Sequence, residues 1–298
     1  MPLELSTLGS CPVCGISGRV KKFHIPKTAV YQCAGCGLRY LDPCLSPSAM
    51  KSLYESDQSL TEMHDFHEGY YEYGDLNSRS RTAEDFRKAL RILEGNLKSD
   101  TRSLLDVGFG NGFFLAMARQ RGWKVAGIDS SASNVEKARE KFELHLLQAN
   151  LEDYQTKEQF DAVCFWDVLE HLPDPHAVLR KASALLKPSG FLVVGIPNDA
   201  SLLSCLAEFL YRVSSGRIQK GIEKVYFLEH VAYYNPTTLR LLFKKNGFTQ
   251  VASFQTHTDL DKYSLPLLDR IMALGILLLG RLFRLENRCV VLFQKNHL

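Results

Sequence analysis

From residue 101 onward the chain alternates short, densely apolar runs with longer stretches in which apolar residues return every three or four positions. The runs SLLDVG (103–108), WKVAGID (123–129), LHLLQA (144–149), FDAVCFW (160–166) and FLVVGIP (191–197) show little polar alternation, the pattern of strands buried on both faces. Between them, 112–121, 132–142 and 175–186 carry a helical period. Such alternation builds βαβ units around a mostly parallel sheet. Two further strands, TQVASFQ (249–255) and CVVLFQK (289–295), bring the predicted sheet to seven. They follow a segment without clear period, 198–234, and a helix that Asn235 caps, Pro236 opens and Gly247 ends.

The first 48 residues are different, being punctuated by cysteine and glycine, and 49–100 are polar, Tyr-rich and helical toward their end. CPVCG and CAGCG place Cys11, Cys14, Cys33 and Cys36 in two identical knuckles separated by 18 residues, a spacing that reads as a four-thiolate zinc site. In each knuckle the glycine absorbs the turn that lets two sulfurs face one ion. Iron fits the same donors, but zinc is the ordinary cytosolic occupant. Four protein ligands leave no open position, so the ion is expected to be structural. The other four cysteines, Cys44 among them, have no regular spacing. MPLELSTLGS has no basic segment leading into an apolar one, so the sequence reads as cytoplasmic. A reducing compartment suits metal ligation better than disulfides.

At 298 residues with 45% hydrophobic and 23% charged residues, one or two soluble globular domains are expected. The formal charge of +3 is too small to imply a nucleic-acid partner, which usually meets a concentrated basic face, and does not exclude one.

DVGFGNGFF (106–114) carries the clearest chemistry. Its glycines follow a predicted strand and precede a predicted helix, and Asp129 ends the next strand. A nucleoside cofactor lying across the strand ends requires close backbone approach and an acid for the ribose hydroxyls. The spacing is GxGxG, with Phe113 where a dinucleotide fingerprint has glycine.

These features resemble the class I S-adenosylmethionine-dependent methyltransferases over about residues 101–255. The resemblance implies a Rossmann-like α/β core preceded by a small zinc ribbon, with domains at 1–48, 49–100 and 101–298 and an insertion at about 198–234. Asp106, Gly108, Gly110 and Gly112 match the family's first motif, Gly108 and Gly110 lining the methionine part of the cofactor. Asp129, followed by Ser130, is implied to hold the ribose. Asn150 and Leu151, in NLED, lie where the family contacts adenine; Asn150 stands where many members have aspartate. FDAVCFWDVLEHLPDP is similar to the fourth-strand segment, placing Trp166 and Asp167 near the cofactor and His171 near the acceptor. The paired knuckles with GLRYLDP, GIPN and EHVAYYNPTTL resemble a zinc-ribbon subgroup of bacterial small-molecule methyltransferases, some acting on carbon atoms of nucleotide-linked sugars.

An acceptor hydroxyl or acidic carbon needs a general base, and His171 and His230 are the candidates. Tyr70, Tyr71 and Tyr73 either cover the cofactor or pack the junction of ribbon and core, Tyr71 being the cofactor candidate. His64 and His67 read as a solvated helix face. Arg212, Arg217, Lys220 and Lys224 suit either a lid for an anionic acceptor or an ordinary charged surface. IMALGILLLG (271–280) is too short to span a bilayer; it reads as a buried helix or dimer contact, with peripheral membrane contact through 264–285 as the alternative. The expected function is methyl transfer to a small molecule, such as a nucleotide-linked sugar or other anionic metabolite. The rivals are an RNA methyltransferase that uses the ribbon to bind nucleic acid and a non-catalytic cofactor-binding module.

Overall fold

The computed structural model describes residues 4–55, 76–97, 101–144, 146–260 and 265–296. The chain opens with β1 (Leu5–Ser6), β2 (Arg19–Ile25), β3 (Thr28–Cys33), β4 (Arg39–Leu41) and β5 (Cys44–Leu45), then α1 (Pro47–Glu55) and α2 (Arg81–Asn96). The core follows as β6 (Ser103–Val107), α3 (Phe113–Gln120), β7 (Lys124–Asp129), α4 (Ala132–Phe142), β8 (Leu147–Gln148), β9 (Phe160–Trp166), α5 (Pro175–Leu185) and β10 (Leu186–Pro197). The segment after it contains α6 (Leu202–Val213), the single turn α7 (Lys220–Glu223) and β11 (Ala232–Tyr233). The chain closes with α8 (Pro236–Lys245), β12 (Phe248–Thr256), α9 (Leu267–Leu282) and β13 (Arg288–Lys295).

The seven predicted strands form one sheet in the order β12-β13-β10-β9-β6-β7-β8. The pairs from β10 through β8 are parallel, and β13 is antiparallel to both β10 and β12. β8 is shorter than its apolar run because Leu147 and Gln148 sit exposed at the sheet edge. Leu105, Val107, Val163, Phe165, Leu192 and Val194 pack in one core with α5, α8 and ribbon residues such as Val13 and Tyr40. Leu104, Ala162, Cys164 and Val193 pack in another with α2 and α3. With both faces covered, both sets of alternate positions are mostly apolar, which explains the nearly unbroken apolar runs; Asp106 of β6 and Asp161 of β9 are the buried exceptions. The strand order reverses at β6, which has β7 on one side and β9 on the other, so a ligand crevice belongs at the carboxyl ends of these strands.

The ribbon is joined to the core through the 198–234 segment. Tyr233 and Ala232 of β11 pair with Arg39 and Tyr40 of β4, giving a four-stranded sheet β11-β4-β3-β2. Phe23, Ile25 and Val30 of the ribbon share a third apolar core with Ala207, Ile222 and Tyr226. Beside it Arg39 donates to Tyr226 Oη at 2.7 Å, Asp199 Oδ1 at 3.3 Å and Glu208 Oε2 at 2.5 Å.

One expectation is overturned. Only Leu277 and Gly280 of α9 are buried, so Ile271–Gly280 is not a buried helix: α9 packs on α6 rather than on the sheet.

Asp85, buried in α2, has its pKa pushed up to about 6, chiefly by burial. The folded value lies above the unfolded one, near 3.9. Its favourable contribution is therefore complete below the unfolded value and is lost as pH rises through about 6. Asp85→Asn is expected to stabilise the fold by about 1–2 kcal/mol at pH 8 and to change little at pH 4; urea unfolding at both pH values checks this.

Candidate functional site at the carboxyl ends of the parallel strands

Gly108, Gly110 and Gly112 all have positive φ, +71°, +57° and +76°, so the turn out of β6 already calls for glycine. Their surroundings differ. A Cβ on Gly108 would lie 2.6 Å from Val168 Cγ2, and one on Gly112 2.9 Å from Ala138 Cβ in α4, whereas one on Gly110 would meet nothing within 4 Å. Gly110 therefore faces open space, Gly108 admits a side chain of the turn after β9, and Gly112 lets α4 approach. Phe109 and Phe113 both turn into the core. Phe109 lies over Gly127 of β7, where a Cβ would come within 2.8 Å of its Cδ1, and Phe113 packs near Phe86 and Phe142.

Asp129, at the end of β7, ties this loop down. Its Oδ2 accepts from Gly110 N at 2.9 Å, while Oδ1 accepts from Ser131 N at 2.9 Å and Asn134 Nδ2 at 3.3 Å. Burial raises its pKa, and these bonds to the charged form oppose the rise. Ser130 is half-buried, and its carbonyl accepts from Gln148 Nε2 at 3.1 Å. On β6, Asp106 is 1% exposed, and its Oδ1 has no protein partner. Burial, then the charge of Asp129, pushes its pKa well above the usual carboxylate range. A buried acceptor without a donor is costly, so Asp106 suits a ligand that brings a donor or a positive charge.

Asn150 opens the turn after β8, its carbonyl accepting from Asp153 N and Tyr154 N, and Leu151 beside it is buried. Trp166 at the end of β9 lies between Phe86 and Phe114, with centroids 4.6 and 5.1 Å away. A Cβ on Gly195 would sit 2.3 Å from its Cε3, so that glycine makes room for the indole. Asp167 has φ +54° and accepts from Arg288 Nη2 at 2.6 Å. Tyr71, with Tyr70, Tyr73, His64 and His67, lies outside the described residues.

The fold brings His171 and His230 together across about 60 residues of chain, with ring centroids 4.7 Å apart and planes at 79°. His171 ends a 3-10 turn, Leu169–His171, shortly after β9, and His230 lies two residues before the start of β11. His171 Nδ1 lies 2.9 Å from the Glu229 carbonyl oxygen and 2.9 Å from Tyr54 Oη. A carbonyl only accepts, so Nδ1 carries the proton and Nε2 presents the lone pair. Glu170 is 2% exposed with neither carboxyl oxygen partnered. Burial, then the charge of Asp167, drives its pKa well up. One donor atom each from Glu170, His171 and His230 falls within 4.8 Å of the others. The sequence reading missed Tyr54, Glu170 and Glu229. Glu170 was visible as the neighbour of His171 in WDVLEH; Glu229 acts through its backbone and left no residue-type signal.

In the ribbon, Cys11 Sγ is 3.5 Å from Cys36 Sγ and Cys14 Sγ is 3.4 Å from Cys33 Sγ, and the four sulfurs lie within 4.8 Å of one another. Four sulfurs this close could hold one ion through four thiolates. A hydrogen bond from Cys36 lowers Cys11 to about 5 and so favours the thiolate there.

An open, mostly parallel α/β sheet with a glycine turn after its central strand and an acid ending the next strand is a Rossmann-like arrangement with its ligand crevice at the strand ends. A family model for the methyltransferase domain matches residues 78–253, and the chain belongs to that family. Over 100 residues it is 38% identical to a ubiquinone biosynthesis O-methyltransferase of Stutzerimonas stutzeri, covering 30% of this chain and 41% of that one. Its counterpart in Paracidovorax citrulli is 30% identical over 151 residues, 46% of this chain and 61% of that one. The chain thus spans about half the length of these curated relatives. Magnesium protoporphyrin IX methyltransferase from Synechocystis, solved with bound SAH, superposes with a TM-score of 0.54 at 14% identity, covering 84% of this chain and 99% of that one. The 1,6-didemethyltoxoflavin-N1-methyltransferase of Burkholderia thailandensis gives 0.53 at 16% identity, covering 93% and 99%. At these identities the superpositions speak to fold alone.

Proposed function

We propose that the protein transfers the methyl group of S-adenosylmethionine to a small-molecule acceptor and holds a structural zinc ion on Cys11, Cys14, Cys33 and Cys36. The observation that carries the reading is the Asp129–Gly110 bridge at 2.9 Å, with open space over Gly110 and an unpartnered Asp106 one strand away. Bound there, the sulfonium cofactor supplies an electrophilic methyl carbon. Asp129 and the turn at Asn150 hold its nucleoside, and Asp106 meets the donor group of its amino-acid end. His171 Nε2, or His230 beside it, takes the acceptor proton. The fixed ring of His171 contributes orientation, which in favourable cases lowers barriers by about 7–11 kcal/mol.

Names of relatives that act in ubiquinone biosynthesis support a small-molecule acceptor over RNA. So does the ribbon surface: Arg19 pairs with Asp42, Lys22 with Glu208, and Arg39 with Asp199 and Glu208, leaving little basic face for phosphates. Isothermal titration with S-adenosylmethionine is expected to show one site, and Asp129→Ala is expected to weaken it by roughly 10–100-fold. No heat of binding to the unmodified protein would refute the proposal.

A further inference from the structure

Among the described residues, 14 of the 19 exposed large hydrophobic side chains lie on α6, on α9 and at Phe283 directly after α9. On α9, Leu267, Leu268, Met272, Leu278 and Leu282 are 61–75% exposed. At 100° per residue the exposed apolar positions of α9 fill a continuous arc of roughly 180°. On α6, Leu203, Leu206, Leu210 and Val213 recur at helical spacing and are likewise exposed. The two helices pack against each other, so their outer faces join. Few monomers present a contiguous apolar patch beyond roughly 300–600 Å² without a partner for it.

The charges around this surface select the partner. Of the exposed charged residues in 201–224 and 265–286, six are basic (Arg212, Arg217, Lys220, Lys224, Arg281 and Arg284) and one, Glu223, is acidic. Glu208 is mostly buried and pairs with Arg39, Lys22 and Arg212, so the cationic border rests chiefly on Arg217, Lys220, Lys224, Arg281 and Arg284. A second copy docking face to face would set one cationic border against another. An anionic bilayer would meet apolar side chains with acyl chains and the cations with headgroups. No described helix is long and apolar enough to cross a membrane. The 16-residue α9 is about 24 Å long, short of the roughly 30 Å hydrocarbon layer.

We propose that α6 and α9 together form an interfacial docking surface for anionic phospholipid bilayers. The surface borders the site: α6 starts just after β10, with Leu202 N bonded to the Leu285 carbonyl at 2.8 Å, and α9 leads into β13, whose Arg288 holds Asp167. Docking through it sets the carboxyl-end crevice beside the lipid headgroups, within reach of an acceptor carried in the membrane.

The test is sedimentation of the full chain with vesicles of phosphatidylcholine alone and of phosphatidylcholine mixed equally with phosphatidylglycerol, at 50 and 500 mM salt, beside sedimentation velocity without lipid. Binding to the mixed vesicles is expected at low salt, at least tenfold weaker at high salt or on phosphatidylcholine alone. The triple change Leu268→Ser, Ile271→Ser and Leu278→Ser is expected to abolish it without changing the thermal midpoint. Should that variant fold poorly, Lys220→Glu with Arg281→Glu is expected to weaken binding at least tenfold. A chain that ignores both vesicles overturns the proposal, whether it is a monomer or a dimer that the serine variant dissociates. Equal adsorption to both vesicle types, unchanged in the variants, overturns it as well.

Discussion

Replacing both His171 and His230 with glutamine is expected to lower kcat for methyl transfer by about 10²–10⁴-fold, the usual worth of a positioned general base. Affinity for S-adenosylmethionine should hold within twofold, because the loop at Gly108–Gly112 and Asp129 are set by other elements. The single substitutions separate two roles. The residue that takes the proton gives nearly the full loss and removes the acid limb of the pH–rate profile. Its neighbour gives a smaller loss and keeps that limb. Tyr54→Phe removes the phenol hydroxyl from His171 Nδ1 and keeps the Glu229 carbonyl there; it should preserve the profile while lowering kcat modestly. Turnover unchanged in the double variant sinks the base assignment while leaving cofactor binding to stand on its own titration.

Removing two ribbon thiolates, as in Cys33→Ala with Cys36→Ala, is expected to empty the zinc site by elemental analysis and to unfold the ribbon, since apparent zinc-binding energies of roughly 10–16 kcal/mol support small modules of this kind. The effect should not stay local. Leu41 N donates to the Val231 carbonyl at 2.9 Å, and β11, which begins two residues after His230, pairs with β4. Acceptor turnover should therefore fall with the metal, while titration with S-adenosylmethionine, which reads Gly110 and Asp129, should change little. A metal-free variant with normal turnover would falsify this coupling.

Much of this was legible in the chain. The strands could be read because burial on both faces removes polar alternation, and the knuckles because four sulfurs around one ion impose a fixed spacing. The glycine loop was legible as a turn, yet the reason for each glycine was not. Gly112 makes room for Ala138 and Gly108 for Val168, contacts set by packing between elements far apart in sequence. β11 has two residues and no period of its own, so its pairing with β4 left no pattern to read. Likewise α9 looks internal by composition, because apolar content reports what a helix avoids and not which neighbour covers it. The positive φ of Asp167 and its partner Arg288 also follow from tertiary packing.

The shared sheet of ribbon and insertion also has a consequence for synthesis. β4 emerges from the ribosome about 190 residues before the strand that completes it, an interval of roughly 10–40 s at 5–20 residues per second. Throughout that interval the young N-terminal module carries an open backbone edge. A bare edge recruits neighbouring chains, and a charged guanidinium at its border discourages them. Arg39, which in the finished protein braces Asp199 and Glu208, stands at that edge from the moment it is made, guarding the nascent chain before it joins the folded one.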